Sequence, residues 1–550
     1  MLAGSLVLFL AFWVPLNVHQ HVPTPDGPMT FMVAVAALLA GYVLFHPGED
    51  PTPAERLGRA LARGGGLKTC AVLALAAGAV AVLSWRGVYG GHPIITDSQS
   101  QIAQARLLLT GHWRLDVSQT LRDVIAFPYA IAQVPSYAQY PPGYILTLVP
   151  VLGLGLPAQT IDILAAAATV ALTALLARRV AGRAAAIAAG LLMLGSPFFL
   201  LMSGSGMNHT LTAFLLTACA CCLLPLLSRE ADDASARARR GLALAGGFCL
   251  GWAVMTRPIT GLAHGLVWGG VWLGLLAEPW LRAQGAARRS RLRALLGRGG
   301  WIALGLLVPA AIFLYYNTRT TGHPLRLGYQ VSNPGLHRLG FHWSGPYRFT
   351  PLDALHHLAA SGFALNGCLF GWACGSATPL LFWWLRTRLR RRERIVLALI
   401  LTQGLLYTLY QFFDLLLGPR FLYELLPFLA VLAAAGLAPL LRRGGRAGAT
   451  LWLVLILLST FGGFEGYDWW SHKLSLIVTH HQRLESFIQA HLPLPQPTVI
   501  LLPATYDEMV GRHVPALRGE TPLWFILQSR AAQARRLPEL AGYQWLQFKN

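Results

Sequence analysis

Three charged side chains lie in the segments that connect apolar runs of this sequence, and for an arginine that enters the membrane such a position is costly. Asp97 follows the apolar run 69–86, Arg257 separates two further runs in the sequence MTRPIT, and Arg420 opens another in GPRFLYE. The planar fork of an arginine is suited to binding phosphate. A carboxylate at the mouth of a cavity between water and lipid suits chemistry on a lipid-linked substrate. The three residues are therefore candidates for a site that acts on a lipid phosphate.

Each of these residues also has an ordinary structural interpretation. Asp97 precedes the sequence SQSQ and could be the N-cap of the helix that follows, because a carboxylate accepts hydrogen bonds from unpaired helix N–H groups. That helix is amphipathic enough to lie along the membrane surface. Arg257 and Arg420 could extend to the membrane interface without binding a substrate. Asp414 and Glu424 could be internal partners of Arg420.

Two outer turns and one outer loop add further polar groups. The sequence YPPG breaks the chain at Tyr140, because the first proline disfavours helical geometry there and the second can begin a helix. The turn SGSGMNHT contains Asn208 and His209, and this histidine is either a structural hydrogen-bonding group or a ligand or acid–base group. A metal bound between the loops also stays open, although the spacing matches no metal motif: His323, Arg326, His337, Arg338, His342, His356 and His357.

The composition indicates how such residues must be positioned. Of the 550 residues, 55% are hydrophobic and 12% are charged, and the mean hydropathy is +0.50. A soluble domain has about 25% charged residues, so the sequence predicts an all-α, polytopic membrane protein. Lys and Arg give a net charge of +21, but they cluster in short loops between apolar runs, which is the pattern that orients membrane proteins. This placement argues against nucleic-acid binding.

Apolar runs of membrane-spanning length divide the chain into three parts. We expect two extra N-terminal spans in 1–68, a transmembrane core over 69–463 with outer loops 87–158 and 317–371, and a periplasmic domain over 464–550 with a β-like core PTVILLP and a helical signature over 529–540. The basic loops place the N-terminus in the cytoplasm and the C-terminus outside if 143–156 only dips into the outer leaflet. About thirteen spans are predicted, near 2–17, 29–46, 69–86, 159–177, 184–202, 208–227, 242–256, 259–278, 300–316, 372–385, 395–412, 422–440 and 447–463.

The cysteines do not indicate metal chemistry. Five of the seven lie within apolar runs, where cysteine behaves as a small hydrophobic residue. Only Cys368 and Cys374 could meet across a loop, and the sequence has no paired CxxC motifs that would predict a zinc finger.

The order of these features resembles the GT-C superfamily of integral membrane glycosyltransferases, which includes protein O-mannosyltransferases and aminoarabinose transferases. The resemblance rests on TDSQSQIAQARLLLTG, YPPGY, SGSGMNHT and GPRFLYELLPFLAVLAAAGL, which together extend over most of residues 69–440. Two departures concern the site. Asp97 is followed by Ser98, where many relatives have a second acid, and the second outer turn has Asn208 and His209, where many have an aspartate.

The resemblance implies a mechanism and a set of roles. It implies an inverting transferase that uses a sugar linked to a polyprenyl phosphate, with Asp97 as the general base and Arg257 and Arg420 as cations that stabilise the leaving phosphate. Tyr140 and Tyr423 would line the cavity. His209 and Asn208 would contact substrate, the metal requirement stays open, and a divalent metal is a possible cofactor.

Three functions are therefore considered at this point. The preferred one is a glycosyltransferase at the outer face of a bacterial inner membrane, with a glycan, lipid or protein as acceptor. The second is a transporter or flippase of lipid-linked sugars, for which Asp162 is the one carboxylate that hints at ion coupling, although the sequence shows no internal symmetry. The third is a non-catalytic envelope-assembly protein whose tail 464–550 binds a partner.

Overall fold

The computed structural model describes residues 53–125, 130–227, 236–282, 285–343, 347–372, 375–386, 388–443, 445–491, 496–503 and 523–548 of the chain. The predicted spans 2–17 and 29–46 lie outside the described residues, as does Cys374.

The described chain is mainly helical. In chain order its helices are α1 Pro53–Arg63, α2 Leu67–Leu83, α3 Thr96–Leu109, α4 Gln119–Val124, α5 Pro142–Gly153, α6 Thr160–Ala181, α7 Arg183–Leu194, α8 Pro197–Ser203, α9 Asn208–Leu223, α10 Ala236–Thr256, α11 Pro258–Arg282, α12 Gly285–Thr321, α13 Gly328–Ser332, α14 Pro351–Cys368, α15 Thr378–Trp384, α16 Arg391–Thr408, α17 Leu426–Leu441, α18 Gly445–Ala490 and α19 Ala531–Ala534. A π-helical turn Ser84–Val88 extends α2, and the 3-10 helices are Leu224–Leu227, Arg420–Leu425, Gln528–Arg530 and Pro538–Leu540.

Long apolar helices make this chain a multi-pass membrane protein. Among the described residues, seven helices are long and apolar enough to cross a membrane, and the bent pair α7 and α8 would add an eighth if it forms one span. The predicted number of thirteen is not confirmed. Within 372–385 the described residues form only the seven-residue helix α15, which is too short to cross about 30 Å of hydrocarbon.

The bend of 65° between α7 and α8 has a local sequence cause. Pro197 starts α8 and has no N–H to continue the hydrogen bonding of α7. Ser196 caps α8 by accepting a hydrogen bond from the Phe199 N–H at 3.0 Å. The segment predicted as one span, 184–202, is therefore broken in its second half.

The helix α17 forms the centre of the membrane part. Almost all of its residues are buried, as expected for a helix that is apolar on every side. Its alanines and its one glycine let other helices approach closely. A Cβ atom at Gly436 would lie 2.3 Å from the backbone nitrogen of Trp383 in α15. The position of α17 matters for function because Arg420 lies in the 3-10 helix directly before it.

A small sheet follows the longest helix. With a rise of 1.5 Å per residue, the 46 residues of α18 extend about 69 Å, more than twice the hydrocarbon thickness. Strands β1 Thr498–Leu502, β2 Leu523–Leu527 and β3 Gln544–Gln547 pair in parallel in the order β2-β1-β3. The segment PTVILLP is thus a strand, whereas the predicted helix over 529–540 consists only of α19 and two single 3-10 turns.

The sheet packs against the first outer loop. Val499 and Ile526 belong to one buried apolar cluster with Ala103 and Leu107 of α3. Ile125, directly after α4, forms an antiparallel bridge with Ile526. The C-terminal sheet therefore supports the helix that carries Asp97 near its start.

This packing predicts a long-range effect of Ile526→Ala. Ile526 is fully buried between the sheet and α3, so its truncation should cost about 2–5 kcal/mol of stability in this region. We expect faster amide hydrogen exchange in α3, measured by mass spectrometry of the purified protein. Leu523→Ala, at the half-buried start of β2, is the control. Unchanged exchange in α3 in the Ile526 variant would contradict this support.

Candidate functional site

A cavity of about 750 Å³, lined by charged, polar and aromatic side chains, lies where the loops 87–158 and 317–371 meet the ends of apolar helices. Its volume is in the range of small-molecule sites, which enclose about 300–1,000 Å³. Six of the seven residues predicted for the site line it: Asp97, Tyr140, Asn208, His209, Arg257 and Arg420.

Asp97 is held from two sides. The Tyr140 hydroxyl donates to Oδ1 at 2.6 Å, and Arg420 Nη1 donates to Oδ2 at 3.0 Å. Asp97 lies in the first turn of α3, but the N-cap is Ile95 and no side chain caps the helix. The N-cap interpretation is therefore wrong. The carboxylate points to the cavity and α5 instead of to the end of its own helix.

The helix α3 lies within the protein. Nine of its residues are buried, including Gln101 and Gln104, so protein rather than lipid surrounds most of the helix, and its orientation to the membrane surface stays a prediction. Gln104 accepts from the Ala138 N–H at 3.0 Å and donates to the Trp113 carbonyl at 2.8 Å. Polar side chains of α3 thus hydrogen-bond to the surrounding loop, and these contacts hold the helix that carries Asp97.

Arg420 lies between two carboxylates. Its Nη1 contacts Asp97, and its Nη2 lies 2.8 Å from Asp414 Oδ2. Its buried Nε has no hydrogen-bond partner among the described residues. The predicted partner Asp414 is confirmed, whereas Glu424 contacts a different arginine. Gly418 precedes this segment with φ +66°, a conformation that favours glycine and turns the chain into the 3-10 helix.

Arg257 is at the centre of a second polar cluster. Its Nε lies 3.0 Å from Glu424 Oε1, and Glu424 is fully buried. Its Nη1 donates to the Asn208 side-chain oxygen at 3.1 Å, and its Nη2 donates to the Tyr407 hydroxyl at 3.2 Å. These contacts fix the guanidinium at the cavity, with 11% of its side chain exposed.

His209 connects Glu424 to Arg257. Its Nε2 lies 3.1 Å from Arg257 Nη1, which can only donate, so Nε2 must accept. The proton of a neutral ring is then on Nδ1 and is donated to Glu424 Oε1 at 2.9 Å. The structure thus gives His209 a hydrogen-bonding role in the cluster and also places it at the cavity wall.

Phe421 lies between the two arginines, and Tyr423 lies away from the cavity. The guanidinium carbons of Arg257 and Arg420 are 5.4 and 5.5 Å from the Phe421 ring centre, within the range of cation–π attraction. Tyr423 is 1% exposed and packs edge to face on Phe198 at 5.2 Å. The prediction that Tyr423 lines the cavity is therefore wrong. Successive residues of the 3-10 helix point in different directions, so its neighbour Phe421 lies there instead.

The sequence reasoning missed several aromatic residues of the cavity. Tyr407, Tyr410 and Phe412 line it, although the sequence places them at the end of an apolar run where aromatic side chains usually pack against lipid or protein. Tyr329 lines it from α13. The only available signal was the aromatic and histidine content of the second outer loop, which does not identify individual residues.

Asp162 is not part of this cavity. It is fully buried at the start of α6, and Tyr144 of α5 donates to its Oδ1 at 3.3 Å. The two tyrosines of YPPGY thus each bind a carboxylate, Tyr140 at the cavity and Tyr144 within the helical core.

The described residues of the cavity include no cluster of three metal-ligand side chains. Among the residues that the structure describes, no three His, Cys, Asp or Glu side chains lie close enough together to hold a metal. Both oxygens of Asp97 receive hydrogen bonds from protein donors. Among the described residues, a metal at this cavity would therefore not have three protein ligands of these types.

The ionisation of Asp97 reflects opposing effects. Burial by itself raises the pKa of this carboxyl, but the Arg420 guanidinium and the Tyr140 hydroxyl outweigh burial, and the pKa lies below its usual value. Asp97 is therefore ionised at neutral pH.

This shift predicts a pH-dependent contribution to stability. Because the pKa is lowered on folding, the ion pair stabilises the protein above the unfolded pKa of about 4 and is lost as the pH falls through the lower, folded pKa. The melting temperature of wild type should exceed that of Asp97→Asn by a constant amount from about pH 8 to about pH 5, and the difference should shrink below about pH 4. A difference that grows on acidification would contradict this assignment. Tyr140→Phe, which removes one lowering contact, should shift the loss towards higher pH.

Comparison with solved structures shows the fold. ArnT from Cupriavidus metallidurans bound to undecaprenyl phosphate is similar, with 16% identity and a TM-score of 0.54 over 85% of this chain and 88% of that chain. The apo state of the same protein gives 15% identity and a TM-score of 0.50 over 84% and 94%. An oligosaccharyltransferase from Archaeoglobus fulgidus in complex with Zn and sulfate gives 14% and 0.49 over 80% and 61%. No protein-family model and no curated protein matches the sequence. The chain thus has the GT-C fold, as the resemblance of its motifs predicted.

Proposed function

We propose that this protein is a membrane glycosyltransferase that moves a sugar from a polyprenyl-phosphate carrier to a hydroxyl of an envelope acceptor, with inversion at the anomeric carbon. One observation carries the proposal. An ionised carboxylate, Asp97, and two guanidinium groups, Arg257 and Arg420, line one cavity at the ends of membrane helices. These residues provide a proton acceptor and an anion-binding surface in one cavity, so a single small substrate can contact both.

In the proposed step one bond forms, one bond breaks and one proton moves. The acceptor hydroxyl oxygen attacks the anomeric carbon, and the bond between that carbon and the phosphate oxygen breaks. The bonding electron pair stays on the phosphate, and the hydroxyl proton moves to Asp97. A base that works near pH 7 needs to be ionised, and the lowered pKa of Asp97 meets this condition. Arg420 and Tyr140 orient the carboxylate through both of its oxygens.

The arginines stabilise the phosphate as its charge grows. Arg257 is fixed by Glu424, Asn208 and Tyr407, so little reorganisation is needed when a negative charge develops beside it. Arg420 has its buried Nε still without a partner among the described residues. The proposal assigns the charge stabilisation to these two residues, because both guanidinium groups line the cavity.

The carrier and the location follow from fold analogy and charge. A protein with the same fold binds undecaprenyl phosphate, and this supports a polyprenyl phosphate as the carrier here. If the basic loops face the cytoplasm, as the positive-inside rule predicts, the cavity opens at the opposite face, and this supports a location at the outer face of a bacterial inner membrane. The acceptor in this proposal is a glycan, lipid or protein of the envelope.

Binding of the carrier tests the proposal directly. The purified protein should bind undecaprenyl phosphate, measured as a rise in melting temperature with lipid concentration. Arg257→Gln should weaken this binding at least tenfold, about 1.4 kcal/mol, because the guanidinium fork is lost. Arg483→Gln, on the exposed face of α18, is the matched control.

The product is tested separately in cells. Mass analysis of envelope glycans with and without the gene should show one sugar missing in its absence. The proposal fails if the protein neither binds undecaprenyl phosphate nor changes any envelope glycan. Translocation of a lipid-linked sugar without sugar transfer would favour a flippase instead.

A further inference from the structure

The cavity has two walls of different chemistry. One carries Asp97, Arg257 and Arg420. The other, named here the neutral wall, combines Gln139 with residues of α13 and the loop after it, and its residues are Gln139, Tyr329, Gln330, Ser332, Asn333 and His337.

The side chains of the neutral wall offer hydrogen-bonding groups that carry no charge. The Ser332 hydroxyl donates to Gln139 Oε1 at 2.6 Å, and the Leu327 N–H donates to Gln330 Oε1 at 3.0 Å. Both amides accept through their oxygens, so their NH₂ groups are the ends that can donate to a ligand. Such groups suit the hydroxyl oxygens of a sugar.

His337 adds no charge to this wall. Burial lowers the pKa of its ring to about 4, so the ring is uncharged at neutral pH. Its Nδ1 lies 2.7 Å from the Tyr410 hydroxyl. Among the described residues on this side of the cavity, the charged one is Arg338, an exposed cation.

The neutral wall begins at the reacting carboxylate. The Tyr140 hydroxyl binds Asp97, and the Tyr140 ring lies 5.5 Å from the ring of Tyr329. The rings continue from Tyr329 to His337 at 4.8 Å and from His337 to Phe412 at 5.1 Å. A sugar whose anomeric carbon is near Asp97 therefore lies against this aromatic surface.

The cavity offers no carboxylate to a cationic sugar. Among the described lining residues, Asp97 is the one acid, and its charge is paired with Arg420. Glu424 is fully buried behind Arg257, and Asp414 contacts Arg420 outside the lining. An ammonium group enclosed here would lose its hydration without gaining an ion-pair partner, which is unfavourable.

We propose that the sugar transferred by this protein is a neutral, polyhydroxylated ring without an ammonium group, bound between Asp97 and the neutral wall. This inference rests on the proposed function, since it specifies the donor of the same site. It separates this chain from aminoarabinose transferases, although the fold is shared.

Three lipids distinguish the inference from the proposed function. The probes are undecaprenyl phosphate alone, the same carrier linked to a hexose, and the same carrier linked to 4-amino-4-deoxyarabinose, each titrated against the purified protein by thermal shift. We expect the hexose lipid to bind at least tenfold more tightly than the amino-sugar lipid. Equal or tighter binding of the amino-sugar lipid overturns the inference and leaves the proposed function intact. No binding of any of the three overturns both.

A charge placed in the neutral wall provides the matched test. Gln330→Glu keeps the oxygen that accepts the Leu327 N–H but adds a negative charge to the neutral wall. It should shift the binding ratio at least tenfold towards the amino-sugar lipid. Gln489→Glu, exposed on α18, should leave the ratio unchanged. A Gln330→Glu protein with the wild-type ratio overturns the inference, because the sugar then does not lie on this wall.

Discussion

Asp97→Asn is expected to reduce sugar transfer by about 10²–10⁴-fold, the usual contribution of a general base. Asparagine keeps the shape of the side chain and can still accept from Tyr140, but it cannot take up the proton of the acceptor hydroxyl. Arg420 keeps its second carboxylate partner, Asp414, so the fold should survive. The measurement is the initial rate of transfer with saturating donor in proteoliposomes.

The control for this variant is another aspartate of the first outer loop. Asp123 is exposed and accepts from Gln119 at 2.7 Å, so Asp123→Asn should retain wild-type turnover. Carrier binding by Asp97→Asn should remain, since the arginines are unchanged. Near wild-type turnover in Asp97→Asn would exclude the base role and with it the proposed mechanism.

Glu424→Ala should have the largest effect on stability. Glu424 is fully buried and compensates Arg257 at 3.0 Å while accepting from His209 at 2.9 Å. Its removal leaves a buried guanidinium without its counter-charge, which costs about 3–5 kcal/mol. We expect a clear fall in melting temperature and a loss of carrier binding, because Arg257 is no longer held at the cavity.

Two further variants separate charge from packing in this cluster. Glu424→Gln keeps the hydrogen-bond acceptor and the volume, so it should lose less stability than the alanine variant while still losing the charge. Asp468→Ala removes a carboxylate that is 76% exposed on α18 and should leave the melting temperature unchanged. If Glu424→Ala melts like wild type, the ion pair with Arg257 is not important for the fold.

The two arginine clusters explain why this site tolerates charge at the edge of a membrane. Each guanidinium has at least one carboxylate within 3.0 Å, and Phe421 separates them. The pairing reduces the cost of burial, and both arginines still line the cavity. The same arrangement keeps Asp97 ionised, so one set of contacts serves both stability and the proposed chemistry.

Local sequence patterns identified the class of protein and most of the site. Hydropathy predicted a multi-pass helical protein because a membrane span is a continuous apolar segment, which can be read without knowledge of any other part of the chain. Asp97, Arg257 and Arg420 stood out for a similar reason, since a charge beside an apolar run is rare. The same reasoning wrongly predicted a span over 372–385, because this region is apolar but its described residues form only the short helix α15.

Only the tertiary structure decided which charges meet. Asp97 and Arg420 are 323 residues apart, and His209 and Glu424 are 215 residues apart. These residues are brought together by the packing of α3, α9 and the 3-10 helix Arg420–Leu425, and no local pattern specifies that packing. For this reason the sequence provided both arginines but paired Glu424 with the wrong one. It could also not show that Tyr423 points into the helical core while Phe421 points into the cavity, because the direction of a side chain in a short 3-10 helix depends on what surrounds it.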